Sequence, residues 1–110
     1  MQLPNGDNAI VDDDKLVHYA LNPLHRVGGK HAELFRLLLG IGLENANVLR
    51  EALLRAARTE DAIPGQFSPF GQKYEVRFQM TNGLREFTIL SVWMIRHGEE
   101  FPRLVTTYVE

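Results

Sequence analysis

The chain has 110 residues, of which 45% are hydrophobic, 24% charged and 9% aromatic; this balance excludes disorder, collagen-like repeats and low complexity, and predicts a single domain over residues 1–110. Twelve basic against fourteen acidic residues leave a net charge of −2, so any contact with nucleic acid is local rather than a broad cationic face. The absence of cysteine removes disulfides, thiolate catalysis and cysteine zinc sites. No apolar run approaches a membrane span and no secretory signal is visible, so the expectation is a cytoplasmic protein with no membrane partner.

Residues 1–11 read as an extended lead-in. Pro4-Asn5-Gly6-Asp7-Asn8 is turn chemistry, and Ala9-Ile10-Val11 suits a short edge strand. Asp12 to Asp14 supply an N-cap and acidic first-turn residues for a helix through Leu21, with Leu16, Tyr19 and Ala20 on its buried face. Asn22 precedes Pro23, which pushes it out of the helical region and stops the helix. Pro23 to Gly29 form a loop, whose Gly28-Gly29 pair permits a backbone path closed to larger residues. A second helix starts near Lys30, carries Ala32, Leu34, Phe35, Leu38 and Leu39 at helical spacing, and stops at Gly40. A third runs from Glu44 or Asn45 to about Arg58; Ala46, Leu49, Leu53 and Ala56 make its buried stripe, and Glu51 with Arg55 an exposed pair.

After Thr59 the period falls from about 3.6 to 2. A strand from about Ala62 to Phe67 contains Pro64 and so belongs at an edge. Lys73 to Met80 alternates polar and apolar residues, and Asn82-Gly83 follows as a hairpin turn. A two-residue turn there pairs Thr81 with Leu84, Phe78 with Phe87, Val76 with Ile89 and Tyr74 with Ser91, so apolar residues meet on one side together with Trp93 and Ile95. A last strand covers Arg103 to Val109. The predicted architecture is α+β: about three N-terminal helices packed on a four-stranded antiparallel meander.

The densest polar constellation is His25, Arg26, Lys30 and His31, between the first two helices, flanked by His18 and Arg36. Phosphodiester chemistry uses such groups: neutral imidazole accepts a proton near pH 7, and Lys and Arg stabilise charge on the phosphorus centre. The other reading is a solvated loop in which His25 hydrogen-bonds the loop itself. Arg103, Thr106 and Tyr108 form a second set on the last strand, with Thr106 and Tyr108 projecting on one face and Arg103 on the other. The histidine spacing matches no zinc template, and Asp12-Asp13-Asp14 reads as helix capping. No metal and no cofactor is expected.

Leu3-Pro4-Asn5 with Ala9-Ile10-Val11, Leu21-Asn22-Pro23-Leu24-His25, Gly28, Ala32 and Phe35, Leu49-Arg50-Glu51-Ala52-Leu53-Leu54, Tyr74, Ser91-Val92-Trp93 and Pro102-Arg103-Leu104-Val105-Thr106 together resemble a bacterial domain-of-unknown-function family. Its members stand alone or form the C-terminal module of polymorphic toxins and phage head-morphogenesis proteins. Where that family carries Lys before the Ala of the second helix, this chain has His31, with the cation at Lys30; where it carries a basic residue before Ser-x-Trp, this chain has Leu90. The architecture is similar to the nuclease superfold of barnase, EndoU, certain colicins and RelE. The resemblance implies a metal-independent ribonuclease acting through 2′-hydroxyl attack, and for a free-standing member one half of a toxin–antitoxin pair. His25 and His31 would be its acid/base pair, Lys30, Arg26, Arg103 and Tyr108 would hold RNA, and Thr106 would orient the phosphate. Its partners would be RNA and a small cognate antitoxin or immunity protein. The alternative is a non-enzymatic protein-binding or accessory module using the same cleft.

Overall fold

The computed structural model describes all 110 residues. A helix α1 (Asp13–Lys15) runs directly into a π-helical segment (Leu16–Ala20), followed by α2 (Gly29–Leu39) and α3 (Ala46–Thr59). The strands are β1 (Ala62–Ser68), β2 (Gly71–Asn82), β3 (Arg85–Arg96) and β4 (Arg103–Val109), hydrogen-bonded in the order β1-β2-β3-β4 with every pairing antiparallel. The α+β architecture of three helices and a four-stranded meander is as predicted. No helix is long and apolar enough to cross a membrane.

The lead-in does add an edge contact. Ile10 bridges Arg103 in parallel, its N–H donating to the Pro102 carbonyl at 2.9 Å and its carbonyl accepting from the Leu104 N–H at 3.0 Å. That contact ties the chain before α1 to the start of β4. Between α2 and α3, Gly40 adopts φ 67° and ends α2, where its N–H reaches the Arg36 carbonyl. The buried stripe of α3 is Leu49, Leu53, Ala56 and Ala57. Glu51 and Arg55 form no ion pair; Arg50 is the cation that reaches across, to the Val11 carbonyl at 2.8 Å and to Asp13.

Two features of the first half differ from the expected α pattern. The Leu21 N–H donates to the Leu16 carbonyl at 2.9 Å, five residues back, so the helix is underwound, its turn widened by about one residue. Leu16, Ala20 and Leu21 therefore point into the core, at 2% exposure or less, while Tyr19 turns half out of it. The predicted pairing of Leu16 with Tyr19 on one buried face assumed 3.6 residues per turn. Gly28 also differs: its φ is −88°, an ordinary value. Space is what it provides, because a Cβ there would lie 2.9 Å from the Tyr19 carbonyl oxygen and 3.0 Å from its ring.

In the hairpin Asn82 pairs with Arg85, so the two turn residues are Gly83 and Leu84 rather than Asn82 and Gly83. Positive φ occurs at Gly83 (64°) and not at Leu84, the type II′ pattern. Opposite partners move by two residues and every side chain keeps its predicted face. The observed register sets Met80 against Phe87 and Tyr74 against Trp93; the predicted one would oppose Met80 to Arg85. Asn82 is occupied elsewhere, donating from Nδ2 to the Leu38 carbonyl at 2.9 Å and pinning the hairpin to the end of α2.

One core of seventeen residues joins the layers, with Leu16, Phe35, Leu49 and Leu53 from the helical side and Val76, Phe78, Ile89, Trp93, Leu104 and Val109 from the sheet. The register of β4 on β3 shifts between Val92 and Trp93: Val92 opposes Thr106 but Trp93 opposes Leu104, leaving Val105 as an extra residue. This bulge reverses side-chain alternation. Leu104 joins Trp93 on the core face, and Arg103 comes onto the outward face with Thr106 and Tyr108, opposite Met94, Val92 and Leu90. The expectation that Arg103 and Thr106 lie on opposite faces holds only for an unbroken strand.

A candidate anion cleft beside the terminal strand

Around the bulge, α1, the loop before α2 and β4 enclose an open cleft of about 720 Å³ lined by Asp14, Lys15, His18, Tyr19, His25, Val27, Val105 and Thr106. The histidine-bearing loop and the last strand thus share one hollow. Its geometry follows from the local devices just described: π-winding turns Tyr19 outward, Gly28 lets the loop close onto it, and the bulge presents Val105 and Thr106.

The loop is built by its own side chains. The Asn22 Oδ1 accepts from the Leu24 N–H at 3.0 Å, an Asx turn that carries the chain around Pro23. His25 then caps the approach to α2: its Nδ1 accepts from the N–H groups of Val27 and Gly28, each at 3.0 Å. Two N–H donors on Nδ1 make it the accepting nitrogen and leave Nε2 as the one that carries a proton. His25 packs edge-on against Tyr19, ring centroids 4.7 Å apart. In this state the ring is a rigid N–H donor and has no free lone pair with which to take a proton.

That capping role gives a direct expectation. His25→Ala should cost about 1 kcal/mol, the worth of an ordinary N-cap, and lower the melting temperature. His25→Asn, which offers an oxygen to the same N–H groups, should recover most of it. Equal melting temperatures for wild type and His25→Ala would show that the cap contributes nothing.

The remaining sequence-predicted residues are distributed more widely. Thr106 lines the cleft with His25. His31 does not; its ring stacks on Tyr108 with centroids 4.7 Å apart and planes 23° from parallel. His25 and His31 therefore do not line one hollow. Arg26 and Lys30 are exposed and form no ion pair. Arg103 lines a second hollow, adjoining the first at Lys15 and Val105. Its guanidinium is bidentate on Glu99 at 3.0 and 3.1 Å and reaches Asp12 at 3.3 Å. A phosphate at Arg103 would compete with two carboxylates. No group of three or more His, Asp or Glu residues is placed to hold a metal ion.

The Arg103 cluster has a pH signature. The hydrogen bond from Arg103, helped by the charges of Arg103 and Arg96, holds the Glu99 carboxyl below its ordinary 4.5, and Arg36 and Arg77 do the same to Glu44 and Glu110. A carboxyl lowered by folding stabilises the fold above its unfolded value and loses that contribution as pH falls through the folded one. Wild type and Glu99→Gln should therefore differ in melting temperature at pH 7 and converge below pH 4.5, with a smaller difference in high salt. A constant difference across that range would remove the ion pair as its cause.

Lys15 and Tyr19 are cleft residues that the sequence reading did not place there, and His18, named only as flanking the histidine constellation, lines the cleft itself. His18 is exposed and its ring makes no hydrogen bond, so both nitrogens are free toward the cleft. The available signal was the spacing of Lys15 and His18, which puts two basic groups on one side of a short helix.

No curated protein and no solved structure matches this chain. A family model described as a domain of unknown function, DUF6883, matches residues 2–110. On that near-complete match, the chain belongs to the DUF6883 family.

Proposed function

We propose that the cleft binds an RNA phosphodiester and cleaves it by attack of the ribose 2′-hydroxyl on the adjacent phosphorus, without a metal. The observation that carries this reading is the convergence on one hollow of a free imidazole (His18), a fixed imidazole N–H (His25), an ammonium (Lys15) and a hydroxyl (Thr106). His18 takes the proton of the 2′-hydroxyl. His25 Nε2–H and Lys15 stabilise the negative oxygens of the phosphorane. Thr106 orients the phosphate, and the leaving 5′-oxygen takes its proton from the water that enters this open cleft. The acid/base pair inferred from the resemblance thus becomes His18 as base with His25 as donor. RNA is the ligand on this reading, the cytoplasm is where it is met, and a small cognate antitoxin is the protein that would cover the cleft. The resemblance drawn from the sequence, with the nuclease-like architecture and toxin context that it implies, points the same way.

A second reading is favoured by His25 itself. A ring committed to two backbone N–H groups suits a rigid recognition loop, and the chain would then be a protein-binding module that grips its partner through the same cleft. The deciding experiment incubates purified protein with end-labelled RNA in EDTA. Cleavage leaving 2′,3′-cyclic phosphate ends, abolished by a 2′-deoxy substitution at the cut position, is the expected result. Intact RNA beside a folded protein that co-purifies with a stoichiometric protein partner would replace it with the second reading.

A further inference from the structure

Of the four hollows on the molecule, the second is the most one-sidedly charged. It measures about 500 Å³ and is lined by Lys15, Lys73, Arg96 and Arg103 over a floor of Met94, Leu104 and Val105, with no carboxylate in the lining. Arg103 is engaged by Glu99 and Asp12. Lys15, Lys73 and Arg96 take part in none of the ion pairs of the chain. Three cations outside the ion pairs, of which Arg96 also acts on Glu99 through its charge, are thus gathered in one hollow of a chain whose net charge is −2. At the lip stands Phe70, 74% exposed in the tight turn between β1 and β2. The turn itself is rigid: the Ser68 Oγ accepts from the Phe70 N–H at 3.1 Å, and the Phe70 carbonyl accepts from the His97 N–H at 3.1 Å.

A ligand matched to this hollow carries negative charge and a flat apolar face together, and it continues toward the His18 cleft, which shares Lys15 and Val105. An acidic peptide satisfies the charge but leaves Phe70 unused. Single-stranded nucleic acid satisfies both, since a cationic groove beside an exposed ring is how such strands are held. We infer that the hollow is a subsite for single-stranded RNA flanking the scissile bond, in which Lys15, Lys73 and Arg96 take backbone phosphates and Phe70 stacks on a base. The inference rests on reading the adjoining cleft as an RNA site.

An RNA octamer methylated at every 2′-oxygen tests it, because that strand has no nucleophile and reports binding alone. Measured by fluorescence anisotropy, Lys73→Glu with Arg96→Glu should weaken binding at least about tenfold, and Phe70→Ala about five- to tenfold. Reversing two cations elsewhere, Arg55→Glu with Arg85→Glu, should weaken it far less. The wild-type affinity should fall with salt at a logarithmic slope of about −2, close to −0.7 for each of three phosphates, and the slope should shrink in the Lys73/Arg96 variant. Equal binding by that variant and wild type overturns the inference. So does a polyglutamate peptide that competes as well as the octamer while Phe70→Ala has no effect; the ligand is then an acidic protein. If natural RNA stays uncut but octamer binding depends on Lys73, Arg96 and Phe70, the cleavage reading falls and the subsite stands. If RNA is cut and octamer binding ignores these residues, the reverse holds.

Discussion

Replacing Trp93 by alanine should lower the stability of the protein by about 3–5 kcal/mol, the range for truncating a buried large ring. Trp93 is 0% exposed and sits in the C-terminal half of β3, opposed by Tyr74 on one side and by Leu104 on the other. Its ring also has a polar commitment. Nε1 donates to the Ser91 Oγ at 2.9 Å, and that hydroxyl donates to the Val76 carbonyl at 2.7 Å. Alanine leaves a cavity and removes a partner from a buried hydroxyl at once. Ser91→Ala should cost less, about 1–3 kcal/mol, because it leaves the indole N–H buried without an acceptor. The double variant should cost less than the sum of the two, since the N–H orphaned by one change is deleted by the other. Chemical denaturation measures all three. Strict additivity would show that the indole and the hydroxyl act independently, and an unchanged midpoint for Trp93→Ala would contradict burial of the ring. With a typical net stability of about 5–15 kcal/mol, the single change consumes a large part of it.

The elements that were legible are those set by repeating chemistry. Period-2 alternation located β2, turn residues separated the strands, and Gly40 and the Asn22-Pro23 pair ended the first two helices where expected. What escaped was set by single-residue insertions. The hairpin could be closed at either of two adjacent residue pairs, and the choice depended on Met80 finding Phe87 and on Asn82 finding the Leu38 carbonyl, a contact 44 residues away. The bulge at Val105 and the π-wound turn at Leu16 to Ala20 each add one residue to a regular element. Neither leaves a pattern in a short sequence window, because both are stabilised by what they pack against.

Those same two insertions build the candidate site, which explains why its membership was only partly legible. His25 and Thr106 were recognisable as polar residues in distinctive strings. Their convergence required a loop that folds back through Gly28 and a strand that bulges toward it. The distinctiveness of Asn22-Pro23-Leu24-His25 has a structural source, an Asx turn followed by an imidazole cap. His31 and Lys30 were grouped with His25 by proximity along the chain. The helix carries His31 onto Tyr108 instead, since residues six apart on a loop and a first helical turn need not face one hollow.

His18→Ala should reduce RNA cleavage by about 10²–10⁴-fold, the contribution of a positioned proton acceptor, while changing stability by no more than about 0.5 kcal/mol. The two expectations have separate grounds. His18 lines the cleft beside Lys15, His25 and Thr106, and its ring has no hydrogen-bond partner to satisfy its nitrogens. It is also exposed and outside the core cluster, so its removal opens no cavity. His25→Asn keeps the loop capped and replaces the ring Nε2–H by a shorter amide donor, so its loss of rate should be smaller than that of His18→Ala. Added imidazole provides a sharper test: it should restore part of the rate of His18→Ala, because a free base can enter an open cleft, and should leave His25→Asn unchanged. A merely structural role for His18 would show no such rescue. Cleavage by His18→Ala at the wild-type rate would remove the residue from the chemistry and, with it, the only imidazole lining the cleft that is free to accept a proton.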